Sequence, residues 1–268
     1  VSCSLAGAGA EAGFFGSLWR HLPDVAGNTT PNASSRIYDD KGRLITTVHA
    51  EENRIPVPIS QVPQNLQNAF VAAEDVRFYE HHGVDPRGIL RAVFANLTSG
   101  NATGQGGSTI TQQLARNAFL TQEQTLKRKL LEVVLAFEIE SKYTKKQILE
   151  MYMNQIYFGQ GCYGIQTAAH VYFGKDVKDL SLSQCAMLAG LPNSPNYYSP
   201  FRSLEAAKYR QGIVLDQMAK YGYISAADAQ AAKAADVHLA KQDKGKSGAG
   251  TAQYFINYVI QSISDKYD

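Results

Sequence analysis

The sequence predicts a mainly α-helical domain with a short β-hairpin near its N-terminal end. Three observations carry that prediction. Helix starts are written at Asp85-Pro86, Thr144-Lys-Lys-Gln147 and Ser181-Leu-Ser-Gln184, where an N-cap residue precedes Pro or is followed three positions later by Gln. The run from Leu126 to Tyr143 is apolar at most of its helical positions. Strand-like pattern is confined to residues 35 to 58, where Arg36-Ile-Tyr38 and Leu44-Ile-Thr-Thr-Val48 flank the turn signal Asp39-Asp40-Lys41-Gly42.

The elements follow in chain order. Residues 1–34 read as a leader and linker: mildly apolar to Trp19, interrupted by Glu11, then polar with Pro31. Such a leader either follows a membrane anchor or is plain disordered chain. Residues 35–240 form the folded domain. After the hairpin, Asp85-Pro86 opens a helix with Leu90, Val93, Phe94 and Leu97 on one face. Thr98 to Gly107 holds four glycines and reads as a mobile loop. The Leu126–Tyr143 helix carries Leu130, Leu131, Val133, Val134, Leu135, Phe137 and Ile139, a pattern expected of a helix buried all round. Gly190 and Pro192 close the helix begun at Ser181. Residues 241–268 read as a linker followed by a helix whose face, Phe255, Val259 and Ile263, needs a partner.

Composition narrows the function classes. At 268 residues, 44% apolar and 19% charged, the chain is long and apolar enough for a sizeable core. A net charge of +2 argues against binding a polyanion through overall charge, so any anion site must be local. The three cysteines, Cys3, Cys162 and Cys185, match no zinc or disulfide spacing and read as free or buried thiols. Sequons at Asn28, Asn32, Asn96 and Asn101 carry little weight without a secretory eukaryotic context. No stretch reaches the roughly 18 consecutive apolar residues of a membrane span.

Three clusters carry chemistry. In the first, Glu74 sits between packing residues (Phe70 to Ala73) and the rings of Phe78 and Tyr79. Apolar walls disfavour a carboxylate's charged form and raise its pKa toward general-base work. The second is Gly106-Gly-Ser-Thr-Ile-Thr-Gln-Gln113, where glycines and the hydroxyls of Ser108, Thr109 and Thr111 precede a helix that bears Arg116. Helix N-termini favour phosphate, although the Gly-Lys-Ser/Thr ending of a P-loop is absent. In the third, Glu132 lies inside the apolar helix with Arg128 and Lys129 one turn back on its own face. A buried acid with two cations is either a structural ion pair or a working group. Lys145, Glu150 and Asn154 share the next capped helix, where Glu150 is as well placed for structure as for chemistry.

Together these segments resemble the peptidoglycan glycosyltransferase (transglycosylase) family, found in class A bifunctional penicillin-binding proteins and in monofunctional transglycosylases. The matching runs are Glu74-Asp75-x-x-Phe78-x-x-His81-x-Gly83, Gly107-Ser-Thr-x-Thr-Gln-Gln113 and Arg128-Lys129-x-x-Glu132. Lys145-x-x-Ile-Leu-Glu150-x-Tyr152-x-Asn154 follows, then Ala168-Ala-x-x-Tyr172-Phe-Gly-Lys175 with Leu188-Ala-Gly-Leu-Pro192. They stand in the family's order across residues 35 to 235.

The resemblance implies a lysozyme-like fold of two lobes around a groove, one facing the membrane. It implies polymerisation of lipid II into β-1,4-linked glycan strands by inverting transfer, with release of the polyprenyl diphosphate, in cell wall biogenesis and cell shape. Glu74 would be the general base. Glu132 would hold the donor diphosphate through a divalent metal (Mg or Mn) or through neighbouring cations. Arg116, Arg128, Lys129, Ser108 and Thr109 would serve the donor's diphosphate, and Thr111, Lys145 and Glu150 would also bind substrate. Asp75, Phe78, His81, Gln112, Gln113 and Asn117 would line the groove. The implied partners are lipid II, the growing lipid-linked strand, the outer face of the bacterial cytoplasmic membrane and a covalently linked transpeptidase domain, with no nucleic acid. A single N-terminal anchor would lie ahead of this sequence. The chain shows no Ser-x-x-Lys nucleophile motif, so a transpeptidase would lie downstream. Gln184 departs from the family's usual Glu at a position expected to support packing.

Two rivals remain at this stage. A lysozyme-like hydrolase or lytic transglycosylase shares the fold and a catalytic Glu, but it has no diphosphate to neutralise, which leaves Arg116, Arg128 and Lys129 without a task. A non-catalytic glycan- or lipid-binding scaffold would not need both Glu74 and Glu132.

Overall fold

The computed structural model describes residues 35–38, 44–48, 55–90, 107–120 and 125–241. The expected leader, all but the last residue of the Thr98–Gly107 loop, the C-terminal 242–268 segment, and Val93, Phe94 and Leu97 lie outside the described residues.

Strands β1 (Ser35–Tyr38) and β2 (Leu44–Val48) pair antiparallel, with Ser35 opposite Val48 and a register shift at Ile37/Tyr38. All other regular structure among the described residues is helical. Helix α1 (Gln64–Glu74) is entered through a 3-10 turn, Ile59–Gln61, and Pro63. A helical turn at 86–90 follows. Then come α2 (Ile110–Phe119), α3 (Leu126–Lys142), α4 (Lys145–Gln155), α5 (Ile165–Phe173), α6 (Leu182–Gly190), α7 (Leu204–Lys220) and α8 (Ala226–Ala234).

Caps set most of these boundaries. Thr109, Thr144 and Ser181 each accept from the backbone N–H three residues on, while a Gln at that position answers the cap's own N–H. Gln184 completes the box of α6 and also donates to the Val237 carbonyl at 3.0 Å, a packing role. After Gly190 the chain tightens into a 3-10 turn, Leu191–Asn193.

Helix α6 is the central element, buried from Ser183 to Gly190, with α1 and α7 packed on it. Helix α2 packs between α3 and α4. The two groups meet through aromatic edges: the Phe70 ring lies 5.9 Å from Tyr152 and 6.1 Å from Phe158, all fully buried. Burial of each such ring contributes about 1.5–3 kcal/mol. Cys162 and Cys185 are buried free thiols, and burial pushes them up to about 11 and about 12. No helix among the described residues is long and apolar enough to cross a membrane.

The sequence expectation for α3 needs correction. The helix is not buried all round: Leu130 and Phe137 are exposed, while Glu132, Leu135, Ala136 and Ile139 are buried. Its apolar composition exceeds what one packed face uses, and Glu132 lies on the packed face.

Candidate active site

Glu74 is the last residue of α1, whose apolar face is fixed in the core by Leu66, Ala69 and Phe70. The helix stops at Asp75, whose backbone leaves the helical conformation and whose side chain takes two partners. Its carboxylate accepts the first N–H of α2, Ile110, at 3.0 Å, and meets His81 Nε2 at 2.9 Å. An acid at a helix N-terminus is favoured by the dipole and the free N–H groups. The loop after Glu74 is fastened again where Thr109 Oγ1 donates to the Gly83 carbonyl at 2.6 Å. Gly83 has φ +88°, and a Cβ there would lie 2.8 Å from the Ala136 carbonyl oxygen of α3, so only glycine fits.

One turn into α2, Gln113 Nε2 donates to Glu74 Oε2 at 2.9 Å. Glu74 Oε1 is buried and has no protein partner. Burial pushes the Glu74 carboxyl above its ordinary value; the Gln113 hydrogen bond and the charges of Arg210 and Arg116 pull the other way without cancelling it. A small cavity beside Glu74 is bounded by Asp75, Asp85, Gly107, Ser108 and Thr109.

Gln113 also lines a larger cleft of about 330 Å³, together with Arg116, Asn117, Arg128, Ile156, Tyr157, Pro192 and Pro195. Among the described residues, the two arginines are its only charged lining. Glu132 lies behind them with no exposed surface, its oxygens 3.3 Å from Arg128 Nε and 2.8 Å from Lys129 Nζ. Lys129 Nζ also donates to Ser108 Oγ at 2.7 Å. The three sequence clusters therefore meet: Ser108 joins the Glu74 cavity to Lys129, and Gln113 joins Glu74 to the cationic cleft.

Several expected binding residues are engaged elsewhere. Gln112 spends its carbonyl on the Thr109 N–H of the capping box, at 3.0 Å. Thr111 is fully buried and donates to Glu140 Oε1 at 2.6 Å, and Lys145 reaches the same oxygen at 2.7 Å. The Lys145 ammonium lies 4.5 Å from the centre of the Phe78 ring, which is wholly buried. His81 is buried on Asp75. Glu150 Oε2 accepts the Ile59 N–H at 2.6 Å, the structural alternative left open above. These residues form the frame that holds the two cavities rather than their walls.

Two contributors escaped the sequence reading. Glu140 ties α3 to α2 and α4. The positive charge of Arg210, on α7, lowers the proton affinity of Glu74 alongside that of Arg116, and the Nε of Arg210 is buried with no hydrogen-bond partner. Its Cγ fits against α6 because residue 190 is glycine: a Cβ there would come within 2.9 Å.

A metal held by the protein does not fit the donors at Glu132. Both of its oxygens face cations, and no group of three His, Cys, Asp or Glu side chains suited to an ion occurs among the described residues.

A family model described as Transglycosylase matches residues 41–219. Penicillin-binding protein 1A of Aquifex aeolicus is 44% identical over 252 residues, 93% of this chain and 34% of the relative. Penicillin-binding protein 1F of Bacillus subtilis is 44% identical over 238 residues, 88% of this chain and 32% of its own length. Penicillin-binding protein 1A of Escherichia coli is 48% identical over 227 residues, 84% of this chain and 26% of its own. The chain thus spans about a quarter to a third of the length of these relatives.

Proposed function

The chain belongs to the transglycosylase family, and from that premise we propose that it is a peptidoglycan glycosyltransferase that polymerises lipid II into β-1,4-linked glycan strands. One observation carries the reading. A carboxylate with its proton affinity raised by burial, Glu74, is joined through Gln113 to a cleft whose charged walls, among the described residues, are Arg116 and Arg128. A base next to a cationic pocket suits transfer from a diphosphate-activated sugar.

In this reaction the 4-hydroxyl of the acceptor attacks the donor's anomeric carbon as Glu74 removes its proton. The bond from that carbon to the diphosphate oxygen breaks, and configuration inverts. Negative charge grows on the departing polyprenyl diphosphate, where Arg116, Arg128 and Lys129 stabilise it. Glu132 holds Arg128 and Lys129 in place for that task. The same cations supply the charge neutralisation that a divalent ion would otherwise provide. The two-lobed, lysozyme-like organisation, the location at the outer face of the cytoplasmic membrane behind an N-terminal anchor, and a linked transpeptidase domain belong to this reading. The similarity to penicillin-binding proteins 1A and 1F supports it.

The test is incubation with lipid II in detergent micelles, with products separated by length, beside Glu74→Gln and Glu132→Gln. Long strands that a muramidase digests, lost in both variants, are expected. Soluble fragments from mature peptidoglycan with no strands from lipid II would instead identify a hydrolase.

A further inference from the structure

We propose that Tyr152 is a positioning residue for Glu74: its hydroxyl locks the Gln113 amide with its NH2 group toward one Glu74 oxygen, leaving the other oxygen free to accept a proton. The inference rests on the reading of Glu74 as general base.

The geometry is a chain of two hydrogen bonds. Tyr152 Oη donates to Gln113 Oε1 at 3.2 Å, and Gln113 Nε2 donates to Glu74 Oε2 at 2.9 Å. Tyr152 is fully buried, and its ring meets Phe70 edge to face at 5.9 Å, so the hydroxyl cannot swing away. A carboxylate only accepts hydrogen bonds, while a primary amide offers a donating and an accepting end of nearly equal size. Nothing in the amide itself prevents its rotation by half a turn. A flip would set its carbonyl oxygen against Glu74, which repels the carboxylate and accepts from the carboxylic acid. The orientation is set from both ends: ionised Glu74, which only accepts, takes the NH2 end, and the Tyr152 hydroxyl donates to the carbonyl end, so the hydroxyl adds a hydrogen bond that favours the arrangement in which Glu74 is ionised.

The donor persists across the working range, because burial, and after it the Glu74 charge, push the phenol well above 10. Among the described residues, the other charges that act on Glu74 are Arg210 from α7, Arg116 from α2 and the adjacent Asp75. They alter its proton affinity but do not orient the amide.

The experiment is the pH dependence of lipid II polymerisation by the full chain, for wild type, Tyr152→Phe, Gln113→Ala and the double variant. Tyr152→Phe deletes one oxygen and keeps the ring packing. Its acid limb is expected to move up by on the order of half to one pH unit, with activity below the limb reduced about three- to tenfold. The alkaline plateau should stay within about twofold of wild type, since Glu74 is ionised there in both proteins. In the Gln113→Ala background the same substitution should add no shift. A ¹³C titration of the Glu74 δ-carbon, assigned by its loss in Glu74→Gln, should show the upward shift without any turnover. An unmoved limb and titration, with activity lowered equally at every pH, would make Tyr152 a core residue only. If Glu74→Gln is inactive while Tyr152→Phe leaves the limb in place, only this inference falls. If Glu74→Gln is fully active, the base assignment falls and takes this inference with it.

Discussion

Lys129 Nζ lies 2.8 Å from Oε2 of Glu132, a carboxylate with no exposed surface, and Arg128 flanks the other oxygen at 3.3 Å. A buried charge held by two cations is stable while both remain; losing one leaves charge uncompensated in the interior. Lys129→Met and Arg128→Met are each expected to lower the unfolding free energy by about 1–3 kcal/mol in urea titration. Glu132→Gln, which removes the charge that needs the partners, should lower it less. Equal losses in all three would contradict this account.

Glu74 links stability to pH in the opposite sense from most acids. Burial raises its folded-state pKa above the ordinary 4.5, so the folded protein binds that proton more tightly than the unfolded chain does. Stability therefore falls as pH rises from about that ordinary value through the folded one, and the whole penalty is present above both. Glu74→Gln is expected to melt at a higher temperature than wild type at neutral pH. The gap should close as pH drops below 4.5. The same variant should lose about 10²–10⁴-fold in polymerisation rate. A less stable Glu74→Gln at neutral pH would show that the charge is favourable where it sits.

Asp85 behaves conventionally. Burial pushes its carboxyl up, but hydrogen bonds from Arg77, at 2.6 Å, and the Gly88 N–H, at 3.0 Å, outweigh it and hold it below the ordinary 3.8. That stabilisation is present above the unfolded value and disappears as pH falls through the folded one. Asp85→Asn keeps the cap acceptor and loses the charge, so a loss of about 1–2 kcal/mol at neutral pH is expected, vanishing in acid. Thermal melts across pH check it; a constant difference at all pH values would assign the effect to packing.

Arg210→Met should act on chemistry more than on stability. The substitution removes a positive charge that lowers the proton affinity of Glu74, so the acid limb of the rate profile should rise. A loss of about 10–100-fold in kcat/KM is expected, with partial recovery in Arg210→Lys, which restores charge without the planar donors. Full recovery by lysine would mean that charge alone matters.

The sequence revealed what is local. Capping boxes at Thr144 and Ser181 marked two helices correctly, and the spacing of Arg128, Lys129 and Glu132 foretold their ion pairs. It did not reveal convergence between distant segments. Arg210 sits in an ordinary amphipathic stretch, and the packing of α7 on both α1 and α6, close at Gly190, carries it toward Glu74. Thr111 and Lys145 share a partner, Glu140, on a third helix, a convergence that their local patterns do not show. The exposure of Leu130 and Phe137 escaped notice because composition records how apolar a helix is, not how many neighbours it has.

Asp75 holds the first N–H of α2 at 3.0 Å while its neighbour Glu74 faces Gln113 of that same helix. The Asp75 side chain is thus a spacer of fixed length between the base and the helix that orients it. Reaction geometry tolerates errors of only about half an ångström. A single added methylene exceeds that tolerance, so Asp75→Glu would preserve the charge yet misalign the base, and an acid retained at this position guarantees nothing unless its reach is retained as well.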